Sequence, residues 1–244
     1  MYGEFAGIYD SLMEDAGYEE RAKLLKELFK KYDRMPALML DLACGTGEFS
    51  RRFCEDGVSV IGVDISEDML AVAQEKSEGM DILYLCQDMT ALDLYGTVDG
   101  AVCCLDSLNH LGSYGDFCLA LKKVSLFLEP ERLFIFDVNT PYKHKSVLGD
   151  NIFIKETEDI YCVWQNEFEE KDSAVNITLD MFVKEDGGYK RESESFREIA
   201  FNEEQISSAL KEAGFRVETC LDGDTGKEVS NCSERIIYVV RKTG

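Results

Sequence analysis

Apolar residues recur in two rhythms along the chain, and the places where one gives way to the other mark its organisation. Between residues 38 and 138, short apolar runs (38–42, 58–63, 82–86, 98–105 and 133–138) alternate with stretches whose apolar positions return every three or four residues (48–56, 67–77 and 114–127). The runs read as buried parallel strands, and the longer-period stretches as helices crossing between them in right-handed βαβ units. Ahead of them, residues 2–13 and 18–32 read as two helices joined near Gly17, the second with Leu24, Leu25, Leu28 and Phe29 as its apolar stripe. Beyond residue 151 the period drops to two. Val175, Ile177, Leu179, Met181 and Val183 alternate with mostly polar residues, Gly187-Gly188 makes a turn, and 189–199 returns as a strand, with 152–154 and 161–168 as further strands. That stretch of about fifty residues is too long for an ordinary loop. Asn202 and Gln205 then fit a capping box opening a helix to residue 213. Residues 215–221 and 235–241 close the chain as a hairpin.

The stretch LMLDLACGTGEFS at 38–50 carries the first chemistry. A buried strand runs into a tight turn at 43–47 and then into a helix, so two glycines let a ligand approach the backbone while free N–H groups face it. Gly45-x-Gly47-x-x-Ser50 resembles a dinucleotide fingerprint, a weak signal alone. Its neighbours argue against a diphosphate. Asp41, Asp64 and Asp88 end three successive strands, and none of these turns carries a basic residue. Close like charges in a poorly solvated crevice are costly, so a phosphate-free ligand with a positive centre fits better, and Asp64 is placed to accept ribose hydroxyls. An NAD(P)-dependent oxidoreductase is the alternative reading.

With D-x-A-C-G-T-G at 41–47, G-V-D-I-S at 62–66 and Q-D-M at 87–89, the sequence resembles the class I S-adenosylmethionine-dependent methyltransferases. Its start, MYGEFAGIYDSLMEDAGYEERA, resembles the N-terminal cap of a bacterial small-molecule-type branch. The resemblance implies an α/β fold: a Rossmann-like seven-stranded, mostly parallel sheet with one reversed strand, plus an antiparallel β insertion. Residues 1–150 and 200–244 would form the S-adenosylmethionine-binding domain, with 1–35 as a helical cap, and 151–199 the insertion over the acceptor site. It also implies which residues hold the cofactor. Asp41, Ala43, Cys44, Gly45, Thr46 and Gly47 belong to the turn against its methionine part, and Ala43 stands where many members have glycine. Asp64 holds the ribose, Asp88 and Met89 border the adenine, and Ile65, Met69 and Leu105 complete the set. A protein that binds the cofactor without catalysis would keep the same turn.

The end of the fourth strand lies at the topological switch, over the ligand crevice. Asp106, Ser107, Asn109 and His110 follow it. Imidazole is the side chain whose ordinary titration range spans neutral pH, so His110 could take a proton from an amine or hydroxyl acceptor, or merely shape the wall. Asp106 could orient such a base or cap the loop. Tyr9, and with less force Tyr2, reads either as part of a lid reaching cofactor or acceptor or as packing. His144, the other histidine, sits in a polar stretch expected to be exposed. Trp164 reads as core, with cation stacking as its alternative.

Composition narrows the partners. With 45% apolar residues, three prolines and no apolar run near ~18 residues, the chain is expected to be soluble and cytoplasmic, without a signal peptide or membrane partner. Asp plus Glu number 48 against 26 Lys plus Arg, a net charge of −22, which repels phosphate backbones and excludes a nucleic-acid partner. The lysines at 23, 26, 30 and 31 share their helix with Glu19, Glu20 and Glu27, a solvated mixed face. Nine cysteines, none at metal-ligand spacing, read as reduced, mostly buried thiols, Cys86, Cys103, Cys118 and Cys162 among them, with no metal. The expected chemistry is methyl transfer to an N or O atom of a small acceptor, by a monomer or homodimer.

Overall fold

The computed structural model describes residues 3–13, 16–185 and 187–244. Tyr2 lies outside the described residues. Helices α1 (Gly3–Leu12) and α2 (Tyr18–Tyr32) precede a regular alternation: β1 (Leu38–Leu42), α3 (Glu48–Cys54), β2 (Ser59–Asp64), α4 (Glu67–Lys76), β3 (Ile82–Cys86), β4 (Gly100–Cys103), α5 (Tyr114–Phe127) and β5 (Leu133–Asn139). Four strands follow, β6 (Ile152–Glu156), β7 (Ile160–Glu169), β8 (Ala174–Glu185) and β9 (Gly188–Ile199). Then come α6 (Glu203–Glu212), β10 (Phe215–Asp222) and β11 (Arg235–Lys242).

Seven strands form one sheet in the order β10-β11-β5-β4-β1-β2-β3, and β11 is antiparallel to both its neighbours while the others run parallel. Period-two alternation divides its side chains between two cores. Met39, Leu133 and Ile135 face α2 and α3, where they meet Leu25, Phe29 and Phe53. Leu40, Leu42, Phe134 and Phe136 face α5 and α6, where they meet Phe117, Leu121, Ile206 and Leu210. Ser66 caps α4 by accepting the Met69 N–H at 3.2 Å, and the Asn202–Gln205 capping box opens α6.

The fourth strand is shorter than its apolar run. Asp99 turns aside to accept the N–H groups of Ala37 and Leu38 at 3.1 and 2.9 Å, and at the other end Leu105 and Asp106 take left-handed backbone. Gly62, mid-strand in β2, marks a close approach: a Cβ there would lie 2.7 Å from the Tyr84 ring and 3.1 Å from Cys44 Sγ. Gly62→Ala should therefore lower the unfolding free energy by about 1–3 kcal/mol in urea titration. An unchanged midpoint would show that Tyr84 yields freely.

Strands β6-β7-β8-β9 form a second, wholly antiparallel sheet. Its apolar residues Ile160, Cys162 and Met181 pack with Leu12 of α1 and Met69 of α4. Val175 and Ile177 pack with Leu148, and Trp164 and Phe196 border them. Asn109 staples the two sheets together. Fully buried, it donates to the carbonyls of Ile199 at 2.9 Å and Asn139 at 3.1 Å and accepts the Asn139 N–H at 2.9 Å. Among the described residues no helix is long and apolar enough to cross a membrane.

Candidate active site

A cavity of about 870 Å³ opens where the C-terminal ends of β1, β2 and β4 meet α1 and the second sheet. One end is the turn after β1. Gly47 there has φ 78°, and a Cβ would collide with the Tyr84 hydroxyl, so both conformation and space demand glycine. Ala43, at φ 57°, carries a side chain in a conformation that favours glycine. The Asp64 carboxylate accepts the Gly45 N–H at 2.8 Å and the Ser66 N–H at 2.9 Å, locking two turns together. Burial pushes its carboxyl up, against the pull of those N–H groups.

The sequence-nominated residues divide. Ala43, Gly45, Asp64, Ile65, Met69, Asp88, Met89, Leu105, Asp106, His110 and Tyr9 line the cavity. Asp41, Cys44, Thr46 and Gly47 stand behind its wall. Asp41 is 1% exposed, and its carboxylate accepts the Ser50 hydroxyl at 2.6 Å. Burial pushes it up to about 7, with Ser50 pulling the other way. Asp41 therefore presents no full charge to a ligand, and the case against a diphosphate passes to Asp64 and Asp88. Thr46 donates to Asp10 of α1 at 2.7 Å, and Lys76 pairs with the same carboxylate, which fastens α1 over the turn. Burial raises the Cys44 thiol well above its ordinary range, so it is packing and not a nucleophile. Asp88 is exposed and caps its own turn through the Thr90 N–H at 2.7 Å.

The other end of the cavity gathers charges distant in sequence. Asp106 pairs with Arg235 at 2.6 Å and accepts from Asn139 at 2.8 Å. Burial alone would raise its carboxyl, but Arg235, then Lys143 and His110, hold it well below the usual carboxylate range. Asp137, also paired with Arg235, accepts the N–H groups of Leu105 and Asp106 at 2.8 and 3.0 Å and so pins the left-handed backbone there. His110 stands beside Asp106 and Glu198. Its Nε2 lies 3.7 Å from Glu198 Oε1, and its ring lies 5.0 Å from that of Phe196. Tyr9 is half-buried and hydrogen-bonds to Tyr18; burial, then the nearby Asp106 charge, push it up to about 12.

Two sequence expectations need correction. His144 is fully buried: a wide turn after β5 tucks it in, Nδ1 lies 2.9 Å from the Ser173 carbonyl and Nε2 lies 3.3 Å from Glu198 Oε2. Cys86 is exposed at the end of β3. Separately, Asp106, His110 and Glu198, which no sequence spacing links, each bring one ligand atom within 4.8 Å of the others. Two of these are already committed to protein donors, Asp106 to Arg235 and Asn139, and Glu198 to Asn139 and His144. Sequence reasoning passed over Asn139, Lys143, Glu198 and Arg235. The one local signal was a polar end to the apolar fifth strand.

Comparison with known proteins bears on what this cavity holds. A family profile described as a methyltransferase domain matches residues 39–131. The Bacillus subtilis (strain 168) protein YqeM, named as a methyltransferase, is 36% identical over 100% of this chain and 98% of its own. The crystal structure of an S-adenosylmethionine-dependent methyltransferase from Clostridium acetobutylicum ATCC 824 superposes with a TM-score of 0.88 at 34% identity, covering 99% of this chain and 98% of that one. The chain belongs to the S-adenosylmethionine-dependent methyltransferases. A third relative of this methyltransferase is the Streptomyces fradiae dTDP-3-amino-3,6-dideoxy-alpha-D-glucopyranose N,N-dimethyltransferase, 25% identical over 92% of this chain and 89% of its own. The family sets the nicotinamide reading aside. The turn fits its cofactor: a Cβ at Gly45 would meet nothing within 4 Å, so the backbone is open to a ligand there, beside Asp64.

Proposed function

We propose that this methyltransferase acts in the cytoplasm, as a monomer or homodimer, on an N or O atom of a small acceptor. The observation that carries the reading is the single cavity running from Asp64 and Asp88 to His110 and Glu198 under the second sheet. It has room for two small molecules end to end. The Streptomyces fradiae relative, by its name, methylates a sugar amine, which supports a small acceptor here.

S-adenosylmethionine, when bound, supplies an electrophilic methyl group on a sulfonium. The chain's own part is to orient and to exclude water. Gly45, Asp64, Ile65, Met69, Asp88, Met89 and Leu105 hold the cofactor, and Asp41, Ala43, Cys44, Thr46 and Gly47 shape the turn beneath it. Tyr9, Asp106 and His110 border the acceptor, His110 as the group that takes its proton. Residues 151–199 wall the acceptor site, and 1–35 cap it.

Asp64→Ala should weaken cofactor binding by about 1–3 kcal/mol in titration calorimetry, with circular dichroism confirming the fold. Unchanged affinity would remove Asp64 from the site. Incubation with a metabolite extract and labelled cofactor tests the whole reading: label should enter a small molecule, and label in protein or RNA alone would overturn it.

A further inference from the structure

Among the described residues, Glu198 is the one carboxylate on the second sheet that lines the cavity, and its two oxygens are treated differently. It is 4% exposed. Oε2 accepts from Asn139 Nδ2 at 2.9 Å and faces His144 Nε2 at 3.3 Å. Among the described residues, Oε1 meets only His110 Nε2, at 3.7 Å, too long for a hydrogen bond. Both Glu198 and His110 line the cavity. Points 3.7 Å apart leave room for one nitrogen at hydrogen-bonding distance, about 2.9 Å, from each.

The surrounding charges favour a cation there. Three carboxylates, Asp106, Asp137 and Glu198, stand against Arg235 and Lys143. Arg235 is committed to both aspartates, and Lys143 donates to Asn139 Oδ1 at 2.9 Å. One negative charge is left over, and Glu234 adds to it from beside Lys143. A hydroxyl can donate to Glu198 but brings no positive charge to offset the buried carboxylate. An ammonium brings that charge and donates to both Glu198 and His110.

We propose that Glu198 Oε1 and His110 Nε2 form a two-point receptor for a basic amine, so that the acceptor of this methyltransferase is an aliphatic primary or secondary amine. This rests on the methyl-transfer reading above and narrows it from N or O to N. The amine enters as its ammonium, drawn by Glu198. One proton passes to His110 and frees the nitrogen lone pair. That pair forms the bond to the methyl carbon as the carbon–sulfur bond breaks, its electrons staying on sulfur, and the positive charge ends on the methylated nitrogen. Glu198 faces the imidazolium left on His110 until solvent takes the proton.

The chain has only two histidines, so the imidazole signals of His110 can be followed by long-range ¹H–¹⁵N spectroscopy. The protein, saturated with S-adenosylhomocysteine, is titrated with matched pairs of amines and alcohols of the same carbon skeleton, cyclohexylamine and cyclohexanol among them. Amines should move the His110 signals and bind about tenfold or more tightly than their alcohols. In Glu198→Gln, which keeps an oxygen for Asn139 but loses the charge, that preference should fall to near unity. If no amine in the panel moves His110, if the alcohols bind equally, or if Glu198→Gln folds and keeps the preference, the assignment is wrong. The wild-type comparison decides even if the variant does not fold. Calorimetry with S-adenosylmethionine on the same samples separates the two levels: absent cofactor binding sinks the methyl-transfer reading itself, whereas cofactor binding without amine preference sinks only the receptor.

Discussion

Arg235→Met should destabilise the protein by about 3–5 kcal/mol at neutral pH, the larger of the two effects argued here. The guanidinium is buried between Asp106 and Asp137, and methionine fills much of its volume while leaving both carboxylates without their cation. Asp106 fixes the sign of the pH dependence. Its carboxyl is held below the ordinary range in the folded state, so its pairing contributes in full above the ordinary carboxylate pKa and is lost as pH falls below it. The deficit of Arg235→Met should thus be greatest near pH 7 and shrink toward pH 4, as the orphaned carboxylates become able to take up protons. Urea unfolding at several pH values measures this. A deficit constant across that range would mean that the loss is one of packing.

The second large effect runs the other way. Asp41→Asn should stabilise the cofactor-free protein, increasingly so as pH rises. In the folded chain burial pushes Asp41 up from 3.8 to about 7, so between those values the folded state keeps a proton that the unfolded state has released. Stability therefore falls with rising pH across that window and levels off above it. Asparagine avoids the penalty and still offers an oxygen to the Ser50 hydroxyl. At ~1.4 kcal/mol per pH unit, its advantage should grow from under about 2 kcal/mol at pH 5 to roughly 4 kcal/mol at pH 8. A pH-independent change would show that Asp41 ionises freely where it sits.

These two residues also show how far the chain could be read without coordinates. Asp41 was legible as a strand-end carboxylate, because a buried run followed by a glycine turn is a local pattern. Its orientation was not, because the partner that turns it inward, Ser50, is chosen by the packing of α3 against the sheet. The strands, the crossovers and the closing hairpin follow from periods of two and 3.6 written in contiguous residues, and for the same reason the glycine turn after β1 was found. The fourth strand was overread because its flanking backbone is bent by Asp99 and Asp137, not by any apolar signal. Arg235, Glu198 and Asn139 were missed as site residues because each gains its meaning from a partner tens of positions away. His144 was misplaced because a polar neighbourhood in sequence says nothing of a turn that folds inward onto Ser173.

Asn109 ties the C-terminal end of β5 in one sheet to the end of β9 in the other. Gly45, Asp64 and Leu105 line the cavity from the parallel layer, while Leu179, Trp164 and Phe196 line it from the antiparallel one. If those three side chains meet the acceptor as proposed, exchanging them should change what is methylated and leave cofactor affinity as it was. Asn109 itself has no such latitude, since its three hydrogen bonds set how the two sheets are aligned.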